Sequence, residues 1–355
     1  MSIIASVHGV LPKNRYSQAA ITAEFSKLVS PDGTQSGAIE RIHQATGVKY
    51  RNLSMPLSDY EGLLGFGSTN DEFIKLGIEL GQEAISGALS KAEIEASEVD
   101  LIISTSVTGI AVPAIDSRLI SRMNFRPNVK RLPIFGLGCI AGATGIARVH
   151  DFLLGNPDGV ALLLSIELCS LTVQRDDRSI ANIIASGLFG DGAAAVVMFG
   201  ERRAKSMGKG APQVVTSESR VYEDSERAIG WDIKESGFHI VLSAEVPALV
   251  GERIEADVMA FLSNNNYKKS DITHWILHPG GPKVLTAVAK ALTLSEPQLA
   301  RSWNSLASQG NLSSSSILHL LQEIFYEEEK PQGNSVGLII SMGPGFATEL
   351  VLVRW

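Results

Sequence analysis

One of the two cysteines in this 355-residue chain, Cys139, lies between glycines in the stretch FGLGCIAGATG at residues 135–145. An apolar run ends just before it and a helix-like stretch begins just after it, which predicts a sharp strand-to-helix turn. A thiol at such a turn meets free backbone N–H groups and the positive end of a helix dipole, and both favour the thiolate. This stretch alone is compatible with a nucleophile and equally with a small buried side chain.

Two polar side chains follow similar turns in the second half of the chain. His278 ends the run HWIL before PGGP, which is the place that Cys139 holds in the first half, and this suggests that the two residues meet. A cysteine that faces a histidine can form a thiolate–imidazolium pair, the usual activated nucleophile. Asn311 follows Gly310 ahead of a serine-rich helix start, where its amide could either stabilise an oxyanion or cap the chain.

The surrounding elements predict an α/β protein made of two similar halves. Short apolar runs such as VALLLSIEL (160–168) alternate with amphipathic stretches such as 71–89, which indicates a parallel-rich sheet covered by helices on both faces. Strand–glycine turn–helix patterns recur in both parts of the chain. We place the N-terminal half at 1–205 and the C-terminal half at 214–355, with a ligand cleft between them.

Composition excludes several classes of function. The net charge is −7 and no basic block interleaves with aromatic residues, so nucleic acid is not an expected partner. No run of about 18 apolar residues predicts a membrane span, and the N-terminal MSIIASV indicates a first strand rather than a signal peptide. Two cysteines in so long a chain suit a reducing compartment, which predicts a cytoplasmic protein. No cluster of metal-ligating residues is visible, so we expect no metal.

Five stretches taken together resemble the type III polyketide synthases, the chalcone- and stilbene-synthase-like family of the thiolase superfamily. The similarity runs over nearly the whole chain and implies the thiolase-like αβαβα layered fold with two pseudo-repeated halves. The stretches that carry it, in chain order, are GLGCIAGATG around Cys139, GLFGDGAAAVV (187–197), HPGGPKV (278–284), GNLSSSS (310–316) and MGPGFATELVLVRW (342–355).

The resemblance implies an acyltransferase with a Cys-His-Asn triad at Cys139, His278 and Asn311. Cys139 would accept an acyl group from a CoA starter, and malonyl-CoA would lose CO₂ and extend the chain repeatedly before it cyclises. The partners would be an acyl-CoA, malonyl-CoA and a second copy of the chain in a homodimer, with no cofactor. The family's two gating phenylalanines fall on Phe189 and Phe238.

The walls of the reaction cavity depart from those of plant chalcone synthases. Thr172 matches a cavity threonine of the family, whereas Cys169 stands where the plant enzymes have threonine and Val112 where they have methionine, the latter reaching across the dimer interface. The chain looks most similar to bacterial long-chain alkylpyrone synthases. Each buried CH₂ of an aliphatic starter gains about 0.8 kcal/mol, so we expect a medium- to long-chain acyl-CoA starter and an alkyl α-pyrone or alkylresorcinol-like product.

Three cations are candidates for gripping CoA phosphates at the mouth of the cleft: Lys49, Arg51 and Lys283. For each of them an ordinary solvated surface charge is the alternative interpretation.

Three other functions remain open at this point. A ketoacyl synthase III would make one condensation on acyl carrier protein, but such enzymes typically carry HQAN and GNTSAAS where this chain has HPGG and GNLSSSS. A cysteine thioester hydrolase would release free acid without consuming malonyl-CoA. A non-catalytic acyl carrier would not need Cys139 at all.

Overall fold

The computed structural model describes residues 1–206, 211–326, 331 and 333–355. The strands are β1 (Ser2–Val10), β2 (Asn14–Ser17), β3 (Tyr50–Leu53), β4 (Leu101–Thr105), β5 (Lys130–Ile134), β6 (Val160–Leu168), β7 (Asp191–Gly200), β8 (Gln213–Val221), β9 (Ile229–Lys234), β10 (Gly237–Leu242), β11 (Ile272–Leu277), β12 (Val336–Gly343) and β13 (Ala347–Arg354). The α-helices are α1 (Gln18–Val29), α2 (Ser36–Ala45), α3 (Phe66–Ala92), α4 (Ile115–Ile120), α5 (Ala141–Gly155), α6 (Ile180–Leu188), α7 (Val246–Asn264), α8 (Pro282–Ala291), α9 (Glu296–Gln309) and α10 (Ser315–Phe325). Short 3₁₀ turns cover 57–62, 96–98, 138–140, 169–172, 203–206 and 269–271.

One nine-stranded sheet runs through both halves in the order β11-β12-β13-β8-β1-β7-β6-β4-β5. Its two ends are parallel, where β4 pairs with β5 and β6 and where β11 pairs with β12, and the strands between them are antiparallel. Within the described part of this sheet, the two halves join where Ser2 and Ile3 of β1 pair with β8. The small sheets β2–β3 and β9–β10 lie outside this frame.

Three large hydrophobic cores fill the space between the layers of helices and the two halves of the sheet. The first core packs α3 against the N-terminal half, the second holds α5 and α10 between the halves, and the third packs α7, α8 and α9 against the C-terminal half. This is the predicted αβαβα layering, and it explains why β6, β7 and β12 are buried along their whole length rather than on alternate residues.

The strand order corrects one detail of the predicted repeat. We expected His278 to occupy the position in the second half that Cys139 occupies in the first. However, β11, the strand before His278, lies beside β12 in the same way that β4 lies beside β6, so β11 corresponds to β4. No described strand of the second half corresponds to β5. The helix that mirrors α5 is therefore α10, and Asn311, just before α10, is the counterpart of Cys139. Sequence spacing alone cannot reveal a strand that one half lacks.

The segment between the predicted halves is described only in part, because residues 207–210 lie outside the described residues. In the described part of the chain, no helix combines the length and apolar character that crossing a membrane requires.

Candidate active site

Cys139 lies in a single 3₁₀ turn, Gly138–Ile140, that leads directly into α5. Two glycines make this turn possible. Gly138 adopts a positive φ of 57°, and a Cβ there would lie 2.7 Å from Pro344. A Cβ on Gly142 would lie 2.2 Å from the carbonyl oxygen of Ser314, so this glycine lets the start of α10 approach α5. The strand-to-helix turn predicted around Cys139 is thus confirmed in its shape.

The thiol of Cys139 is buried and neutral. Its Sγ lies 3.7 Å from Ser313 Oγ, to which it donates a weak hydrogen bond. Burial raises the pKa of Cys139 to about 12, and the hydrogen bonds with Ser313 and Asn311 oppose this shift only in part. The turn predicts a lowered pKa for this thiol, but the pKa is raised. Removing the thiolate from water costs more than the backbone N–H groups and the helix dipole of the turn return.

His278 is also buried and neutral. Its backbone N–H donates to Ile340 O at 2.9 Å, while the neighbouring Ser341 Oγ donates to Cys139 O at 2.9 Å, so the end of β12 holds both backbones. Neither ring nitrogen of His278 has a hydrogen-bond partner among the described residues, and burial lowers its pKa to about 3. The predicted thiolate–imidazolium pair is therefore not formed in this structure.

Asn311 ties the turns of the site together. Its Nδ2 donates to Gly280 O at 3.3 Å in the PGGP turn, and its Oδ1 accepts from Ser313 N at 2.8 Å. Its backbone forms a bridge with Phe189: Asn311 N donates to Leu188 O, and Gly190 N donates to Asn311 O. The side chain thus shapes its own loop and at the same time lies against Cys139.

Sequence reasoning missed the buried carboxylate of Glu167, at the end of β6. Glu167 accepts hydrogen bonds from Ser313 Oγ, Ser314 Oγ, Thr108 Oγ1 and Val107 N. Burial raises its pKa to about 7 despite these donors. A charged residue type at the end of an otherwise apolar strand was the available signal.

A small cavity opens at the sulfur, and we call it the Cys139 pocket. Its volume is about 390 Å³ when the solvent-open space at its mouth is counted. Its walls are Val107, Thr108, Gly138, Cys139, Cys169, Phe189, Ile229, Gly230, Trp231, Ile240, Ser313 and Pro344. Cys139, Cys169 and Phe189 therefore come together as predicted, whereas His278 and Asn311 do not line this cavity.

Phe238 packs against Trp231, a wall residue of the Cys139 pocket, and its gating role stays a prediction. It is buried against Phe66, Phe135 and Trp231 and lines neither the Cys139 pocket nor its neighbour. Ile240, two residues further along β10, and Trp231 of β9 form the wall instead. The sequence of this hairpin did not show which residues of β9 and β10 face the cavity, because its register against the rest of the chain depends on distant contacts.

A second cavity, the α1/α6 pocket, adjoins the first and has a volume of about 710 Å³ when its solvent-open space is counted. The two share Cys169, Phe189, Trp231 and Ile240. Its other walls are Ile21, Glu24, Phe25, Leu28, Arg51, Leu53, Leu57, Tyr60, Ser170, Thr172, Val173, Asn182, Ala185 and Ser186. Thr172 thus lines this inner cavity rather than the Cys139 pocket, and its Oγ1 donates to Cys169 O.

Val112 lies on the loop between β4 and α4 and is 91% exposed. With Phe135 it lines a surface groove beside β5, the edge strand of the sheet.

The three predicted CoA contacts differ in their surroundings. Lys49 and Lys283 are exposed, and Lys49 lines a groove between α1 and α2. Arg51 is only 2% exposed, with Nε donating to Gln18 Oε1 at 3.2 Å and Nη1 to Phe189 O at 2.6 Å. The prediction that Arg51 grips an external phosphate is therefore wrong, because its guanidinium lies inside the protein.

No group of three or more His, Cys, Asp or Glu side chains suited to hold a metal occurs within the described ranges.

Comparison with known proteins gives consistent matches along the chain. Residues 65–201 match the N-terminal domain of chalcone and stilbene synthases, and residues 213–355 match the C-terminal domain. The 1,3,6,8-tetrahydroxynaphthalene synthase of Streptomyces peucetius subsp. caesius is 45% identical over 99% of this chain and 93% of that protein. The alpha-pyrone synthesis polyketide synthase-like Pks18 of Mycobacterium tuberculosis is 28% identical over 79% of this chain and 71% of that protein.

A solved structure shows the same fold. The crystal structure of the 1,3,6,8-tetrahydroxynaphthalene synthase of Streptomyces coelicolor, a bacterial type III polyketide synthase, has a TM-score of 0.92 to this chain. The two are 28% identical, and the match covers 99% of each chain. The thiolase-like fold class predicted from the sequence is confirmed.

Proposed function

Since this chain belongs to the chalcone and stilbene synthase family, the type III polyketide synthases, we propose that it condenses malonyl units iteratively on Cys139. The observation that carries this proposal is the cavity built around a single buried thiol, continuous in its walls with a second, larger and mainly apolar pocket. A growing chain needs one fixed nucleophile and space beyond it. In this proposal the first cavity presents the thiol, and the chain extends into the second.

The chemistry that we propose uses three side chains. Cys139 Sγ transfers its proton to His278, attacks the thioester carbonyl of the starter, and CoA leaves as the thiol after regaining that proton. A malonyl-CoA then loses CO₂, and its electron pair forms an enolate that His278 and Asn311 stabilise by donating hydrogen bonds. The enolate carbon attacks the acyl-cysteine carbonyl, and the C–S bond breaks to return the Cys139 thiolate. The product of each cycle is a β-ketoacyl-CoA, two carbons longer.

Cys139 and His278 are both neutral in the protein without substrate, and this state fits the proposed order of steps. The two ring nitrogens of His278 are buried and have no hydrogen-bond partner among the described residues, and such groups are costly unless a ligand satisfies them. A dry surrounding also strengthens each hydrogen bond to the enolate. We propose no cofactor, because the thioesters themselves carry the activated groups.

Two kinds of starter have support. The 45% identical relative is named for 1,3,6,8-tetrahydroxynaphthalene, a product without an alkyl chain whose ten ring carbons can derive from malonyl units alone. The medium- to long-chain starter and alkyl α-pyrone product are supported by the apolar side chains of the α1/α6 pocket, such as Ile21, Phe25 and Leu28, and by the α-pyrone-forming relative.

We propose that the chain acts as a homodimer. Among the described strands, β5 pairs with β4 alone, and two exposed apolar side chains lie there, Leu132 at 45% within the strand and Phe135 at 49% just after it. An open, apolar edge of this kind is unfavourable in water and suits a second copy of the chain. Val112 would then reach toward the partner's cavity, and Lys49 and Lys283 remain our candidates for the CoA phosphates.

The test is mass spectrometry of the products that purified protein makes from malonyl-CoA, alone and with acyl-CoA starters from two to sixteen carbons. We expect a product of two or more condensations, aromatic when malonyl-CoA is the only substrate or an alkyl pyrone with a fatty starter. A single condensation that requires acyl carrier protein would support a ketoacyl synthase III instead. Free acid released without malonyl consumption would support a hydrolase.

A further inference from the structure

Arg51 lines the α1/α6 pocket, and part of its guanidinium has no partner. Nε and Nη1 donate to Gln18 and Phe189, but Nη2 is buried and makes no hydrogen bond with any described residue. An unsatisfied N–H of a buried cation is costly, and native proteins rarely leave one without a partner. The arginine therefore does more than tie two loops together.

The neighbouring acidic groups do not satisfy this nitrogen. Asp191 is the carboxylate whose charge Arg51 feels most, but its oxygens accept from Ser54 N, Ser170 N and Ser170 Oγ. Glu24 also lines the pocket, and its Oε1 accepts from Lys27 Nζ at 2.7 Å. A positive group with a free donor is thus enclosed in a pocket whose other walls are largely apolar.

Arg51 lines the α1/α6 pocket, which adjoins the Cys139 pocket and into which we propose that the chain extends. Cys169 lies in the shared wall of the two pockets and interacts electrostatically both with Cys139 and with Arg51. Gly310 makes room for the arginine stem, since a Cβ there would lie 3.0 Å from Arg51 Cδ. An acyl chain bound at Cys139 and passing Cys169 would bring its far end to the pocket that Arg51 lines.

We infer that Arg51 is a specificity-determining residue, whose Nη2 donates to a carboxylate at the far end of the acyl chain held in the α1/α6 pocket. The inference rests on the proposed function and narrows its starter. A chain begun from a malonyl or other dicarboxylic unit keeps a carboxylate at its far end, and a guanidinium binds that group through charge-assisted hydrogen bonds. A hydrocarbon end would leave the guanidinium unsatisfied.

The experiment compares starters that differ only at their far end. Each dicarboxylic acyl-CoA of four to eight carbons is paired with the monocarboxylic acyl-CoA of equal length, for example glutaryl-CoA with pentanoyl-CoA, and malonyl-CoA serves as extender. The readout is the kcat/KM of the dicarboxylic starter divided by the kcat/KM of its monocarboxylic partner. In the wild-type enzyme we expect this ratio to exceed one at some length. In Arg51→Gln we expect it to fall about tenfold or more at that length, and in Arg51→Lys to fall less.

The ratio separates binding from a merely structural role. Loss of the ties to Gln18 and Phe189 would slow both starters alike and leave the ratio unchanged, which would overturn the inference. Arg202→Gln is the matched control, because this exposed arginine pairs with Asp158 on the surface. If Arg51→Gln does not fold, the wild-type enzyme still decides, since a ratio below one at every length contradicts the inference. Acylation of Cys139 by neither member would instead overturn the proposed function.

Discussion

The side chains proposed for the chemistry lie at the ends of three elements: Cys139 before α5, His278 after β11, and Asn311 before α10. The sequence predicted the turns that carry these residues, and the family resemblance, rather than the turns themselves, supplied the proposed roles. Their protonation does not follow from the sequence, since it depends on how completely the fold removes each group from water. Burial keeps Cys139 a thiol and His278 a neutral imidazole.

Asn311 offers a direct test of the enolate-stabilising role. Asn311→Asp keeps the oxygen that accepts from Ser313 N but removes the amide donor. We expect acyl-Cys139 to form still, while the decarboxylation of malonyl-CoA falls by about 10²–10³, the usual cost of losing one oxyanion donor. Release of CO₂ from labelled malonyl-CoA measures this.

The exposed Asn304→Asp in α9 makes the same chemical change outside the site and should have no effect. Unchanged decarboxylation in Asn311→Asp would remove Asn311 from the proposed machinery.

At the scale of elements, the approach of α10 to α5 sets the site, because Ser313 and Asn311 reach Cys139 only through it. Gly142→Ala would place a methyl group 2.2 Å from Ser314 O. We expect this substitution to lower the free energy of unfolding by roughly 1–3 kcal/mol and to slow acylation of Cys139. Urea denaturation and acylation rates measure the two effects.

Gly155→Ala is the matched control at the other end of α5, where a Cβ would meet nothing within 4 Å. Its stability should stay the same or rise by up to about 1 kcal/mol. Equal behaviour of the two alanine variants would show that the contact between α5 and α10 does not constrain the site.

The sequence largely predicted which segments form helices and which form strands, but not which distant segments pack against one another. Continuous apolar runs such as 160–168 indicate buried strands, and the strand β6 is observed there. The equivalence of α10 with α5, and the cavity walls supplied by Trp231 and Ile240, depend on pairings between distant segments. Short-range periodicity carries no information about such pairings.

For the whole molecule, the three buried histidines with the most strongly lowered pKa values predict the dependence of stability on pH. Burial is the largest cause of the lowered pKa values of His43 and His319, about 4, and of His278, about 3. The unfolded chain then binds more protons between pH 4 and 6.5, so these groups make the protein more stable as the pH rises through that window. Glu167, raised to about 7, acts in the opposite direction.

We therefore expect net uptake of about one to two protons by these four groups on unfolding at pH 5.5, and about one proton less in His319→Gln. The change of the unfolding free energy with pH in urea titrations measures this number. An unchanged slope in the variant would mean that His319 is not held neutral by the fold.

The proposed dimer is also a property of the whole molecule. A charge on the β5 edge, as in Leu132→Glu, should dissociate a dimer because it would be buried without a partner. Light scattering after size-exclusion chromatography measures the mass. Met259→Glu on α7, which is also exposed, is the control and should remain dimeric. A wild-type monomer, or a Leu132→Glu dimer of unchanged affinity, would contradict the proposed interface.

The central claim is that a single sulfur carries the acyl chain, and the mass of its peptide tests it most directly. Wild-type protein and Cys169→Ala would be mixed briefly with an acyl-CoA, quenched and digested, with Cys139→Ala treated in parallel. We predict an acyl adduct on the peptide that contains Cys139 in the first two proteins, and no adduct in the third. An adduct on Cys169, or none under any acyl-CoA, would contradict the account.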